Sequence, residues 1–233
     1  RDVHVVSPKV LPAATPRLEV KQLERPPAVE VTSDRIDSVV FHAQPSSPAA
    51  DRFRLHGMRL AELWAAGKLK SVMIASPLPG EGKSTVALNL ATALTEKGKR
   101  TVLLIDADLH QGCLNERLGL APNDGLAECL RDGTDPLSFI QRVEPLGFHF
   151  LSCGRLQEGS PTELLQAQEI SKMMQILAPH FDWIVLDSPP VLPLSDAVAL
   201  TRHVDGSLLV ARAGYTPAEA IEEIFRGALG AVP

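Results

Sequence analysis

Tyrosine occurs once in this chain of 233 residues, at Tyr215, and aromatic residues of all kinds make up 4%. Cysteine is almost as scarce. Cys113, Cys129 and Cys153 stand far apart, so the CxxC pairs of zinc sites and dithiol redox motifs are missing. So odd and sparse a set predicts reduced thiols in a cytosol. No apolar run approaches the roughly 20 residues of a membrane-spanning helix. The N-terminus lacks the charged-then-apolar pattern of a signal peptide. There is no surplus of positive charge either. The 23 basic residues face 28 acidic ones, for a net charge of −5, which argues against a nucleic-acid partner. The first residue is Arg1 rather than methionine, so a fragment or processed form of something longer is expected. The remainder is ordinary for a folded protein. Hydrophobic residues are 45% of the chain and charged residues 22%, enough for one well-filled core with or without a tail.

Composition splits the chain near residue 50. Residues 1–50 hold 7 of the 19 prolines and no glycine. Proline has no N–H to give a helix or a central strand, so this stretch is predicted to be an extended, mostly disordered linker, with 38–41 as a possible edge strand. From residue 51 to 233, helical and apolar segments alternate. Helices are expected at 51–65 with Asp51 as N-cap, at 84–97 closed by Gly98, after Gly125, at 169–178 and at 217–229. Short apolar strands are expected at 70–75, 101–105, 148–151, 183–186 and 207–211. Strands that are apolar throughout and separated by helices imply a mostly parallel sheet covered on both faces, a doubly wound α/β domain. In such sheets ligands bind beyond the carboxyl ends of the strands.

The residues just after the strands carry the chemistry. Behind the first core strand comes Ser76-Pro77-Leu78-Pro79-Gly80-Glu81-Gly82-Lys83-Ser84-Thr85, followed by a helix. It fits the phosphate-loop pattern GxxxxGK[ST] except that Pro77 holds the first glycine position. Gly80, Glu81 and Gly82 form the turn whose backbone N–H groups can point at phosphate oxygens, and the helix N-terminus adds its dipole. Lys83 reaches the β- and γ-phosphates, Ser84 offers a hydroxyl to Mg²⁺, and Thr85 is placed at an α-phosphate. Asp106 and Asp108 follow the second strand, and Asp187 follows a later one. Mg²⁺ takes a few carboxylates, waters and phosphate oxygens, so Ser84, Asp106, Asp108 and Asp187 are the candidate metal set. A helix N-cap is the alternative for any one aspartate. Asp196 reads as structural, and Lys99 and Arg100 as a solvated charge pair.

The ordered set ASPLPGEGKST, VLLIDADLH, FDWIVLDSPPVLPLSDAVAL and DGSLLVARAG resembles the bacterial tyrosine kinases (BY-kinases) of capsule and exopolysaccharide synthesis. The resemblance covers residues 51–229. It implies ATP and Mg²⁺ as cofactors, with Lys83, Asp106, Asp108 and Asp187 as catalytic residues. It assigns Asp106 as the base that activates a tyrosine hydroxyl and Asp108 to the metal, in that order of preference. It further implies a protein tyrosine substrate and a membrane-embedded polysaccharide co-polymerase or export adaptor as partner. That partner would hold a cytoplasmic protein at the inner face of the membrane. Septum-positioning and partition ATPases of the same superclass carry a signature lysine where this chain has Leu78. His110 stands where the family's second acidic motif often ends in arginine. Asp51, Arg54 and Gly57 fall on an acid-arginine-arginine motif that reaches a neighbouring subunit in ring-forming members. Gly57 in the second arginine place predicts a monomer or a weak oligomer. The family's last strand and tyrosine-rich tail are not found in these residues, so either the sequence is cut short or the protein lacks the tail altogether. A nucleotide-switched regulatory ATPase of the same fold, without kinase output, is the second functional reading.

Overall fold

A computed structural model describes residues 26–31, 39–67, 69–156, 160–166, 168–192 and 196–228. In chain order, strand β1 (Ala28–Glu30) and the one-turn helix α1 (Val40–Ala43) precede the long helix α2 (Pro48–Ala65). Then follow β2 (Ser71–Ala75), α3 (Lys83–Leu94), β3 (Val102–Asp106), α4 (Leu114–Leu118) and α5 (Leu126–Asp132). Next come β4 (Gln141–Glu144), β5 (Phe148–Leu151), α6 (Pro161–Gln166) and α7 (Glu169–Leu177). The described chain ends with β6 (Trp183–Asp187), α8 (Asp196–Thr201), β7 (Gly206–Leu209) and α9 (Ala218–Glu223), which runs on as a wider helix over Ile224–Ala228. Seven strands of the described residues make one sheet in the order β1-β4-β5-β3-β6-β2-β7.

β2, β3 and β6 are buried at every residue, as strands covered on both faces must be. Side chains alternate across them. Met73, Ala75, Leu103 and Ile105 enter one core with Leu126, Met173, Leu177 and Leu200 from α5, α7 and α8. Val72, Ile74, Val102 and Leu104 enter the other with Leu60 of α2 and Leu88, Leu90 and Leu94 of α3. Every strand pair is parallel except β4 with β5. Only residues 145–147 separate those two, and so short a connection permits nothing but an antiparallel return.

The structure redraws several expected boundaries. The stretch 1–50 is not linker throughout. β1 pairs with β4, and Val31, Val39 and Ala50 are buried. Residues 1–25 and 32–38 lie outside the described residues. The possible edge strand at 38–41 is a correction, because Val40 and Phe41 are helical and Ser38 lies outside the described residues. Ser47, not Asp51, caps α2, its Oγ accepting the Ala50 N–H at 3.2 Å. α3 stops at Leu94 rather than Lys97, because Glu96 and Lys97 themselves turn left-handed (φ 48° and 60°) before Gly98. Arg100 is no solvated charge. Its guanidinium lies 4.1 Å over the Trp64 ring, whose Nε1 donates to the Asp182 carbonyl at 3.0 Å. Among the described residues, no helix is long and apolar enough to cross a membrane.

Candidate nucleotide site

β2 lies between β6 and β7, one strand in from the edge, and puts the loop after it at the sheet's carboxyl edge beside the end of β6. Gly80 (φ 76°) and Gly82 (φ 97°) adopt left-handed backbone that side chains disfavour, and α3 begins at the next residue, Lys83. The loop is braced from within and without. Ser76 Oγ donates to the Leu78 carbonyl at 2.8 Å, and the buried Glu81 carboxylate accepts the Leu78 N–H at 2.8 Å. Its other oxygen takes the Thr216 hydroxyl from the β7–α9 turn. Tyr215, in the same turn, donates its O–H to the Pro79 carbonyl at 3.3 Å. The Glu81 side chain therefore serves the loop's own shape rather than a phosphate.

Asp106 and Asp187 end β3 and β6 as directly paired residues. Both are buried. Asp106 Oδ1 accepts the Asp108 N–H at 3.3 Å, and Oδ2 accepts the Leu114 N–H at 3.1 Å. Burial, reinforced by the Asp187 charge, pushes Asp106 up to about 8 against these hydrogen bonds. Burial raises Asp187 to about 6, opposed by its hydrogen bond with Ser84 and the charge of Lys83. One oxygen of Asp187, Oδ1, is buried with no hydrogen-bond partner, a group whose cost a cation would relieve. A hydroxyl and an under-satisfied carboxylate side by side suit a hard ion such as Mg²⁺. Among the described residues no three or more His, Cys, Asp or Glu side chains gather to hold a metal by themselves. Mg²⁺ bound mainly through phosphates and waters needs no such cage.

Of the expected set, Lys83, Ser84, Asp106 and Asp187 are thus brought together. Asp108 stands at the rim, its Oδ1 accepting the N–H groups of His110 and Gln111 at 3.2 and 3.0 Å. Other contacts were not legible in the motifs. His110 Nε2 lies 2.5 Å from Oδ2 of the fully buried Asp196, so the residue read as structural also ties the second acidic loop to α8. Arg117 Nη1 donates to Thr85 Oγ1 at 3.0 Å and its Nε to Cys113 Sγ at 3.3 Å. Cys113 Sγ in turn lies 3.4 Å from Ser84 Oγ. The four-residue spacing of Cys113 and Arg117 is the one signal that could have placed them on a common face.

Residues 69–226 match the model of the AAA domain family. The tyrosine-protein kinase YwqD of Bacillus subtilis is 32% identical over 182 residues, covering 78% of this chain and 76% of that protein. The chain belongs to the bacterial tyrosine kinase family. The succinoglycan biosynthesis transport protein ExoP of Rhizobium meliloti is 32% identical over 193 residues, 82% of this chain but 24% of that protein. The chain thus spans about a quarter of the longer relative and three quarters of the shorter. The kinase domain of the Escherichia coli tyrosine kinase ETK superposes with a TM-score of 0.77 at 27% identity, over 82% of this chain and 74% of that one. Gly57 is buried, and a Cβ there would meet Ala93 Cβ of α3 at 3.7 Å. The position faces the protein's own core, which corrects the reading of it as a lost outward cation. Asp51 and Arg54 bond each other at 2.5 Å, and Arg54 also reaches the Pro45 carbonyl.

Proposed function

We propose that the chain is an ATP-dependent protein-tyrosine kinase domain that regulates capsular or exopolysaccharide synthesis. The observation that carries this reading is the convergence of Ser84, the orphaned Asp187 oxygen and the high-pKa Asp106 behind a preformed phosphate loop. Phosphoryl transfer is mostly positioning and charge neutralisation. The N–H groups from Gly80 to Ser84 and the Lys83 ammonium stabilise charge growing between the β- and γ-phosphates. Ser84 and Asp187 would hold Mg²⁺, with Asp106 and Asp108 as its further acidic neighbours; the ion supplies charge neutralisation on the phosphate oxygens. Asp106 accepts the proton of the tyrosine hydroxyl. A pKa near 8 brings it closer to the phenol's value of about 10 than an ordinary carboxylate stands. The substrate is a protein tyrosine, in a second copy of the kinase or in another protein. The partner that fits the family is a membrane-embedded polysaccharide co-polymerase, which would keep a cytoplasmic kinase at the inner membrane face.

The test is nucleotide binding and peptide labelling together. Ser84→Ala should weaken Mg·ADP about tenfold and metal-free ADP far less. Lys83→Met should weaken both. Asp106→Asn should abolish labelling of a tyrosine-rich peptide while ADP binding persists. ATP hydrolysis without labelling of any tyrosine, even beside the partner's cytoplasmic segment, would favour the regulatory ATPase. Equal loss with and without Mg²⁺ in Ser84→Ala would overturn the metal assignment.

A further inference from the structure

Arg117 lies outside the phosphate loop and the aspartate-bearing strand ends, yet it is fixed at the phosphate loop through Thr85. It lies in α4, exposed, with two of its N–H groups committed to Thr85 Oγ1 and Cys113 Sγ. Among the described residues no carboxylate lies within 4.0 Å of its guanidinium, although nine other ion pairs reach that distance. An arginine held at a phosphate loop without an acid beside it is a cation kept for something else. Its charge is felt at Asp187. A threonine hydroxyl has one proton to give and two lone pairs to receive with. Arg117 fills a lone pair of Thr85, so the Thr85 proton is the group left to offer outward. A guanidinium has five N–H donors, and these two contacts use two of them.

We propose that Arg117 is a phosphate-positioning residue: it sets Thr85 as a hydrogen-bond donor to the α-phosphate of bound nucleotide and adds a second cation beside Lys83. This rests on the nucleotide reading above. Arginine suits the task because its planar fork, fixed at two points, holds the Thr85 hydroxyl in one orientation. The role is a positioning one, since Arg117 acts on the phosphate through Thr85.

ADP affinity without Mg²⁺, measured by calorimetry on the full chain at low and high salt, tests it in Arg117→Gln, Arg117→Lys, Thr85→Val and the double variant R117Q/T85V. Arg117→Gln should weaken ADP about tenfold, in keeping with loss of a charge-assisted contact. It should also reduce the salt dependence of binding, because one cation has gone. Arg117→Lys should recover part of the loss. The double variant should bind little worse than Thr85→Val alone, because the arginine works through the threonine. The ligand-free melting temperature should stay put. Unchanged ADP affinity in Arg117→Gln would overturn the proposal alone. So would losses that add fully, or a loss tracked by a fallen melting temperature that lysine fails to recover. Failure of the unsubstituted chain to bind ADP would overturn the nucleotide reading itself.

Discussion

A carboxylate without water around it keeps its proton, and Asp106 is the extreme case here. Its folded pKa of about 8 compares with 3.8 for a solvated carboxylate. Between those values the folded protein holds a proton that the unfolded chain has released. Stability therefore falls as pH rises from about 4 to about 8 and levels off above that. Asp187 adds to the fall over the lower part, up to about 6. Asp106→Asn removes the larger contribution. In urea melts from pH 4 to 9 its stability should fall only up to about pH 6, where Asp187 titrates, lie flat above that, and exceed the parent at pH 8. A parallel pH profile in parent and variant would contradict the shift. At this scale the sequence was legible wherever chemistry follows a strand end, as at Asp106 and Asp187. Glu81 was legible only as a member of the loop. Its real partner, Thr216, lies 135 residues away, and no local pattern announces so distant a hydrogen bond.

Elements were readable in proportion to their burial. β2, β3 and β6 carry unbroken apolar runs because both faces are covered. β4 and β1, with sequences QRVE and AVE, have Val143 as their one buried residue and otherwise face outward or sideways. An edge pair so polar gives no alternating signal, which is why β1 hid inside a proline-rich stretch. α2 shows the opposite error. The helix was expected, but its phase turns Gly57 inward against Ala93. Gly57→Arg would push a long charged side chain into the α2–α3 contact. It should destabilise by about 2 kcal/mol or more, read as a lowered melting temperature, and leave the oligomeric state unchanged. Tighter association by light scattering, with the melting temperature held, would reverse this assignment.

For the molecule as a whole, self-labelling depends on a tyrosine reaching an active site. Tyr215 is half exposed, yet its hydroxyl is bonded to Pro79 of its own phosphate loop and its ring lies 5.5 Å from the Arg212 guanidinium. The polypeptide 1–233 incubated with Mg·ATP should therefore show little phosphotyrosine by mass spectrometry, while a tyrosine-rich peptide in trans is labelled. Strong labelling mapped to Tyr215 would refute the argument. The bracing of that loop by Glu81, Thr216 and Tyr215 has a thermodynamic side as well. Ordering a backbone costs roughly 1 kcal/mol or more per residue in conformational entropy. Here much of that cost falls at folding, when the β7–α9 turn clasps residues 78–81, and not when a ligand arrives. Encounter with nucleotide then needs no slow rearrangement of the loop, so association should be limited by diffusion and charge, and the Leu78 amide should exchange its hydrogen slowly even in the empty protein.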